Sequence, residues 1–243
     1  MKENLTLDER LMSAAALVPE GSVLLDVGTD HGYLPAYLIL NGRISEAGAS
    51  DINKDPLSKA VSTARRYGVA DKMSFYLSDG LDSVSDLYRY DCISICGMGG
   101  ELIARILSDS EYVRSGKASL VLQPMSSVEE LSEYLAAEGF GITDECIAFA
   151  AGKLYRVLRV SFDGVERALT PVEHILGKLN IQRGTTQVHF GEYLRKNILK
   201  YKRICDGKKA GNIDFTNDMA VLDELCLIAR REGVDYDNTS IYK

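Results

Sequence analysis

DVGTDHGYLP, residues 26–35, is the stretch whose reading decides the fold. Val23, Leu24, Leu25 and Val27 form an apolar run without alternation, as in a strand buried on both faces of a parallel sheet. The glycines that follow turn the chain at the strand's carboxyl end, where open α/β sheets hold nucleotide-like ligands. Gly28 and Gly32 permit tight backbone geometry there, but Asp30 stands where a dinucleotide fingerprint carries its second glycine. A carboxylate at the closest approach argues against a cradled pyrophosphate and suits a cation. S-adenosylmethionine, with a sulfonium, an ammonium and no phosphate, meets that requirement.

Outward from this turn, strands and helices alternate. Thr6 and Glu9 are spaced as a capping box for an amphipathic helix carrying Leu7, Leu11, Ala14 or Ala15, and Val18 on one face. Residues 33–41 suit a helix with Pro35 in its first turn. Strands are expected from Ala47 to Ser50, Met73 to Leu77, Asp91 to Cys96 and over SLVLQPM, residues 119–125. Helices are expected from near Pro56 to Gly68, over residues 101–107 and from about Val128 to Ala137. This alternation implies parallel βαβ units. Residues 141–162 then read as two strands about Ala151 and Gly152, a hairpin that closes a mostly parallel seven-stranded sheet with antiparallel strands. The expected fold class is α/β and Rossmann-like, with residues 1–164 as the cofactor domain and 165–243 as a helical extension. In that extension Phe190, Leu194, Ile198, Tyr201 and Cys205, and again Phe215, Met219, Leu222, Cys226 and Ala229, recur at three- and four-residue spacing. GKKAGN between them predicts the turn of an antiparallel, coiled-coil-like hairpin.

The chain's net charge of −7 conceals an asymmetry. Residues 1–150 hold 12 Lys and Arg against 23 Asp and Glu, whereas residues 151–212 hold 13 against 5. A local excess of that size suits either a phosphate-binding face or a solvated lysine-rich helix. No apolar run is long enough to span a bilayer and the amino terminus lacks a secretory segment, so a cytoplasmic protein without a membrane partner is expected. The five scattered cysteines read as reduced thiols, and no cluster has metal-ligand spacing.

Asp26, Asp51 and Asp79 close three successive strands. Carboxylates at adjacent strand ends can accept hydrogen bonds from ribose hydroxyls and an adenine amino group. Gly97, Met98, Gly99 and Gly100 at the fourth strand end would let a flat substrate approach the backbone. The Asn-Pro-Pro-Tyr or Asp-Pro-Pro-Tyr motif of amino-group methyltransferases is absent, which disfavours an exocyclic amine as acceptor. His31 suits an acid or base role, or a positioning hydrogen bond.

DVGTDHGYLP, ICGMGG, LVLQPM and GKLYR, in that order and followed by two long helices, resemble the TrmK family of bacterial tRNA (adenine-22, N1)-methyltransferases along nearly the whole chain. The resemblance implies a class I methyltransferase domain with a carboxy-terminal coiled-coil extension, S-adenosylmethionine as cofactor and the D-arm region of tRNA as substrate. It implies that Asp26, Gly28 and Asp30 surround the methionine portion, with His31 beside them. Asp51, Ile52 and Asn53 would meet the ribose, and Asp79 and Gly80 the adenine. Gly97, Met98 and Gly99 would face the methyl group and incoming base, with Asp30, Met98 and Gly99 as the catalytic set. Arg10 matches a family arginine and has RNA contact or a structural salt bridge as its alternatives. Arg195, Lys196, Lys202, Arg203, Lys208 and Lys209 would bind tRNA backbone. The implied function is methyl transfer to N1 of adenine 22. Alternatives are a class I methyltransferase acting on another RNA or a small molecule, a noncatalytic RNA-binding protein with a cofactor fold, and a nicotinamide oxidoreductase, which Asp30 disfavours. The oligomeric state is not legible, and a monomer is compatible with the sequence.

Overall fold

The computed structural model describes residues 4–236 and divides the chain into two compact units, Met1–Ala168 and Leu169–Lys243. In the first, seven strands form one sheet: β1 (Leu24–Val27), β2 (Ala47–Asp51), β3 (Met73–Leu77), β4 (Cys92–Gly99), β5 (Ser119–Ser126), β6 (Phe140–Ala150) and β7 (Lys153–Phe162). Their order is β3-β2-β1-β4-β5-β7-β6. Pairing is parallel from β3 to β5, and β7 runs antiparallel to both β5 and β6. Helices α1 (Glu9–Leu17), α2 (Tyr33–Leu40) and α3 (Lys54–Arg66) cover one face, where Ala15, Val18, Leu34, Leu38 and Ala64 pack with Leu24, Ala49 and Val121. Helices α4 (Gly100–Ser108) and α5 (Val128–Ala137) cover the other, burying Ile103, Leu107, Leu131 and Leu135 on Leu25, Ile93 and Leu122. Each buried Leu, Ile or Val among them contributes on the order of 1.5–3 kcal/mol by leaving water, and each Ala less.

Local chemistry moves several expected boundaries. Asp8, and not Thr6, caps α1, its Oδ1 accepting the Leu11 N–H at 2.8 Å. Glu9 is thereby released from the expected capping box, and its carboxylate accepts the Phe149 N–H at 3.0 Å, tying α1 to β6. Strand β4 continues beyond Cys96 to Gly99, with register shifts on either side of Met98. Gly97 permits this irregularity, since its φ of 83° lies in the left-handed region. The turn between β6 and β7 places Ala151 and Gly152 at φ 48° and 75°, the sense that matches the twist of a two-residue hairpin. That hairpin is buttressed by a buried ion pair, Arg156 Nη2 to Glu145 Oε2 at 2.7 Å.

The second unit contains α6 (Pro171–Leu176), α7 (Lys178–Arg183), α8 (Phe190–Ala210) and α9 (Thr216–Arg231). Helix α6 is opened by a capping box, Thr170 to Glu173, that also has Pro171 at its first position. Helices α8 and α9 run antiparallel. Lys208 Nζ meets Asp218 at 2.5 Å at one end, and Arg195 Nε donates to the Asp235 carbonyl at 2.6 Å at the other. The expected turn is displaced, because residues 207–210 remain helical and the chain leaves α8 at Gly211. The buried stripe of α9 is also rotated: Leu222, Leu225, Ile228 and Ala229 are buried, while Met219 is exposed. Helix α6 is responsible, since Val172, Ile175 and Leu176 form a third apolar face that the two long helices share.

Candidate active site

The strand order reverses between β1 and β4, so their carboxyl ends diverge and leave a crevice. A hollow of about 550 Å³ lies there, lined by Asp8, Arg10, Asp26, Gly28, Asp30 and His31, with Gly97 and Met125 opposite. Asp26 is buried, and its two carboxylate oxygens accept hydroxyl protons from Thr29 at 2.7 Å and Ser94 at 2.6 Å. Burial raises its pKa to about 6 against the lowering effect of those hydroxyls and of Arg10. Asp30 is exposed at the mouth with φ 48°, a left-handed conformation that costs a non-glycine residue about 1 kcal/mol or more. His31 Nε2 lies 3.6 Å from the Asp30 carboxylate, and its ring stacks on Tyr33 with centroids 5.1 Å apart.

Gln123 was not among the expected site residues, yet it organises the far wall. Its side chain is fully buried, and its Oε1 accepts both from Arg10 Nη1 at 2.6 Å and from the Gly97 N–H at 3.1 Å. A lone amide ending the apolar run SLVL was the available signal, because a buried polar side chain needs partners. Ser94, in the otherwise apolar CISIC of residues 92–96, carried the same kind of signal. Arg10 also lies 3.7 Å from Asp8, so its guanidinium is engaged within the fold at the edge of the hollow.

The glycines of ICGMGG divide in their duties. Gly97 lines the hollow, and a Cβ on Gly28 would lie 2.1 Å from the Met98 methyl, so the Met98 side chain lies over Gly28. Gly99 faces Ser126, and Gly100 serves packing: a Cβ there would lie 2.1 Å from the Ser127 carbonyl oxygen.

Asp51 is buried at the end of β2, its Oδ1 accepting the Asn53 N–H at 2.9 Å, while Ile52 is exposed. Asp79 and Gly80 line a separate hollow of about 270 Å³ with Arg105, whose Nη2 lies 3.6 Å from Asp79. The expected cofactor residues therefore line two depressions, with Asp51 to Asn53 outside both.

In the second unit, α8 carries seven Lys and Arg against two acids. Lys196, Arg203 and Lys209 are exposed on it. Arg195 is held by the Asp235 carbonyl, the Lys202 ammonium lies 5.1 Å from the Tyr236 ring centroid, and Lys208 points toward α9 and Asp218. Part of the basic excess of residues 151–212 lies elsewhere: Arg156, Arg159 and Arg167 belong to the first unit and each meets an acid. Among the described residues no cluster of His, Cys, Asp and Glu is arranged to hold a metal, and no helix is long and apolar enough to cross a membrane.

The donor set suits a cationic nucleoside ligand. Carboxylates of Asp8, Asp26 and Asp30 line one hollow, whose nearby guanidinium is directed at Gln123, so phosphate would meet repulsion there and a sulfonium or ammonium attraction.

Residues 7–158 match the methyltransferase domain family. The tRNA (adenine(22)-N(1))-methyltransferase of Bacillus subtilis is 38% identical over 154 residues, 63% of this chain and 64% of that protein, so the aligned region spans just under two thirds of the relative. The crystal structure of the B. subtilis m1A22 tRNA methyltransferase TrmK superposes with a TM-score of 0.75 at 28% identity, covering 96% of this chain and all of that one. A Streptococcus pneumoniae putative tRNA (m1A22) methyltransferase in complex with S-adenosyl-L-methionine gives a TM-score of 0.78 at 28% identity over 90% of this chain and 99% of that one. With its switch-point hollow, seven-stranded sheet and helical second unit, this chain belongs to the methyltransferase domain family and, within it, to the TrmK family.

Proposed function

We propose that the chain transfers a methyl group from S-adenosylmethionine to N1 of adenine 22 in the D-arm region of tRNA. The observation that carries this reading is the buried Asp26 carboxylate, paired in one hollow with Asp30, at the switch point of a TrmK-family sheet. The S. pneumoniae relative, crystallised with S-adenosyl-L-methionine, supports the cofactor. A tRNA substrate implies a cytoplasmic site of action.

Bound S-adenosylmethionine supplies an electrophilic methyl on a sulfonium. Asp26 and Asp30 would hold its cationic methionine end, with Gly28 and His31 lining the hollow beside them. Asp51, Ile52 and Asn53 would take the ribose, and Asp79 with Gly80 the adenine ring. N1 of neutral adenine already bears a lone pair, so no side chain must remove a proton before attack. Transfer of that methyl to N1 would leave the bonding pair on sulfur and positive charge on the base. Asp30, exposed at the mouth, is placed to favour that charge. Met98 and Gly99 would seat the incoming ring, and Gln123 would hold the Gly97 wall and Arg10 in place. Alignment and a fixed polar environment supply the rest of the catalysis.

N1 is engaged in pairing or stacking in folded RNA, so the base must be extracted while the backbone is held. Lys196, Arg203 and Lys209 on α8, with Arg195 and Lys202 beside them, offer such a hold, and Lys208 contributes less because Asp218 neutralises it. The decisive experiment incubates the protein with labelled S-adenosylmethionine and bulk tRNA and maps the modified nucleoside. Product at N1 of adenine 22 is expected. Robust transfer to another position or to a small molecule refutes the specificity, and cofactor binding without any transfer supports a noncatalytic protein.

A further inference from the structure

Two more hollows adjoin the candidate active site within the first unit. One, of about 890 Å³, shares Thr6 and Leu7 with it and runs past Tyr37, Arg65, Arg66 and Tyr67. The other, of about 330 Å³, shares His31 and Tyr33 with it and is lined by Lys59 and Arg66. Arg66 belongs to both flanking hollows, so the three are neighbours through shared lining residues.

Charge is partitioned among these three hollows. Asp8, Asp26 and Asp30 line the central hollow, and among the described residues no acid lines either flank. That is notable in a unit whose first 150 residues hold 23 acids against 12 bases. Lys59, Ser62 and Arg66 share one face of α3 by their three- and four-residue spacing, and Lys59, Arg65 and Arg66 are exposed. Aromatic rings stand among them, with the Arg66 guanidinium 5.6 Å from the Tyr67 ring centroid and Tyr33 exposed beside His31.

Cations for phosphates interleaved with ring faces for bases are what a locally unpaired nucleic acid strand needs. The central carboxylates repel phosphate, which directs a backbone delivering a base into that hollow toward its flanks. Resting on the functional reading above, we propose that Lys59, Arg65 and Arg66 bind the phosphodiester backbone of the tRNA strand flanking the target adenine. The methyltransferase unit then grips RNA itself, next to the point where the base is extracted.

The test uses the full chain with Lys59→Glu, Arg65→Glu and Arg66→Glu combined, and a second variant with glutamine at the same three positions. Affinity for unmodified tRNA transcript is read by fluorescence anisotropy across a salt series, and S-adenosylmethionine affinity by calorimetry. Three lost phosphate contacts should lower the slope of log affinity against log salt by about 2, at roughly 0.7 per single-strand phosphate. The tRNA Kd should rise at least about tenfold in the glutamate variant and less in the glutamine variant, with cofactor affinity within about twofold of wild type. Lys59→Arg, Arg65→Lys and Arg66→Lys combined should restore tRNA affinity. Unchanged affinity and salt slope in both neutralised variants, with tRNA methylation by wild type intact, overturns this surface and leaves the functional reading standing. A wild-type protein that neither binds nor methylates tRNA overturns both.

Discussion

Acidification should weaken cofactor binding through Asp26. Burial raises the pKa of this carboxyl from 3.8 to about 6, although hydroxyls from Ser94 and Thr29 and the charge of Arg10 pull the other way. A raised acid contributes stability below its unfolded pKa and loses that contribution as pH rises through the folded one, so at neutral pH the ionised Asp26 costs the empty fold on the order of 3 kcal/mol. A cation facing it reverses the preference, because the charged form then has a partner. At about pH 8 Asp26 is ionised and ready to bind. At about pH 5, one unit below its pKa, only about a tenth of the molecules hold it ionised, so affinity for S-adenosylmethionine should fall roughly tenfold. Calorimetric titration of the cofactor at both pH values measures this directly. Asp26→Asn should bind at least about tenfold more weakly than wild type at the higher pH and lose most of the pH dependence, which separates Asp26 from other groups titrating in the range. Wild-type affinity that stays flat between the two pH values, or an asparagine variant with wild-type affinity and profile, would refute the reasoning.

Gly100→Ala should lower the melting temperature, since its Cβ would lie 2.1 Å from the backbone oxygen of Ser127, which has no rotamer to move into. Overpacking of about 1–3 kcal/mol corresponds to a fall of several degrees in a thermal melt, and an unshifted melt would show that α4 slides freely. Arg156→Met should cost about 3–5 kcal/mol in denaturant unfolding by stranding buried Glu145, and adding Glu145→Leu should recover much of that loss.

Much of the first unit was legible in the sequence because its signals are local. The α5 limits, Val128 to Ala137, and the β3 limits, Met73 to Leu77, follow from apolar periodicity bounded by turn residues, and both agree with the structure. The β6–β7 turn at Ala151 and Gly152 was equally local. The cap of α1 was misassigned because Thr6 and Asp8 both offer an acceptor near the helix start, and only the Leu11 N–H geometry and the pull of Phe149 on Glu9 choose between them. Helix α8 passes Gly207, where a glycine costs about 1 kcal/mol, because packing at Cys205 and the Lys208–Asp218 contact outweigh local propensity.

The sequence by itself determined the α/β class, the strand-end acids and the glycine turn around Asp30, since these depend on residue type and short spacing. Only the tertiary structure decided that β7 inserts between β5 and β6, that Gln123 joins Arg10 to Gly97, and that basic residues of α3 line hollows adjoining the one that holds Asp26. Those relations bring together residues far apart in the chain, and the physical terms that set them are long-range packing, burial and charge.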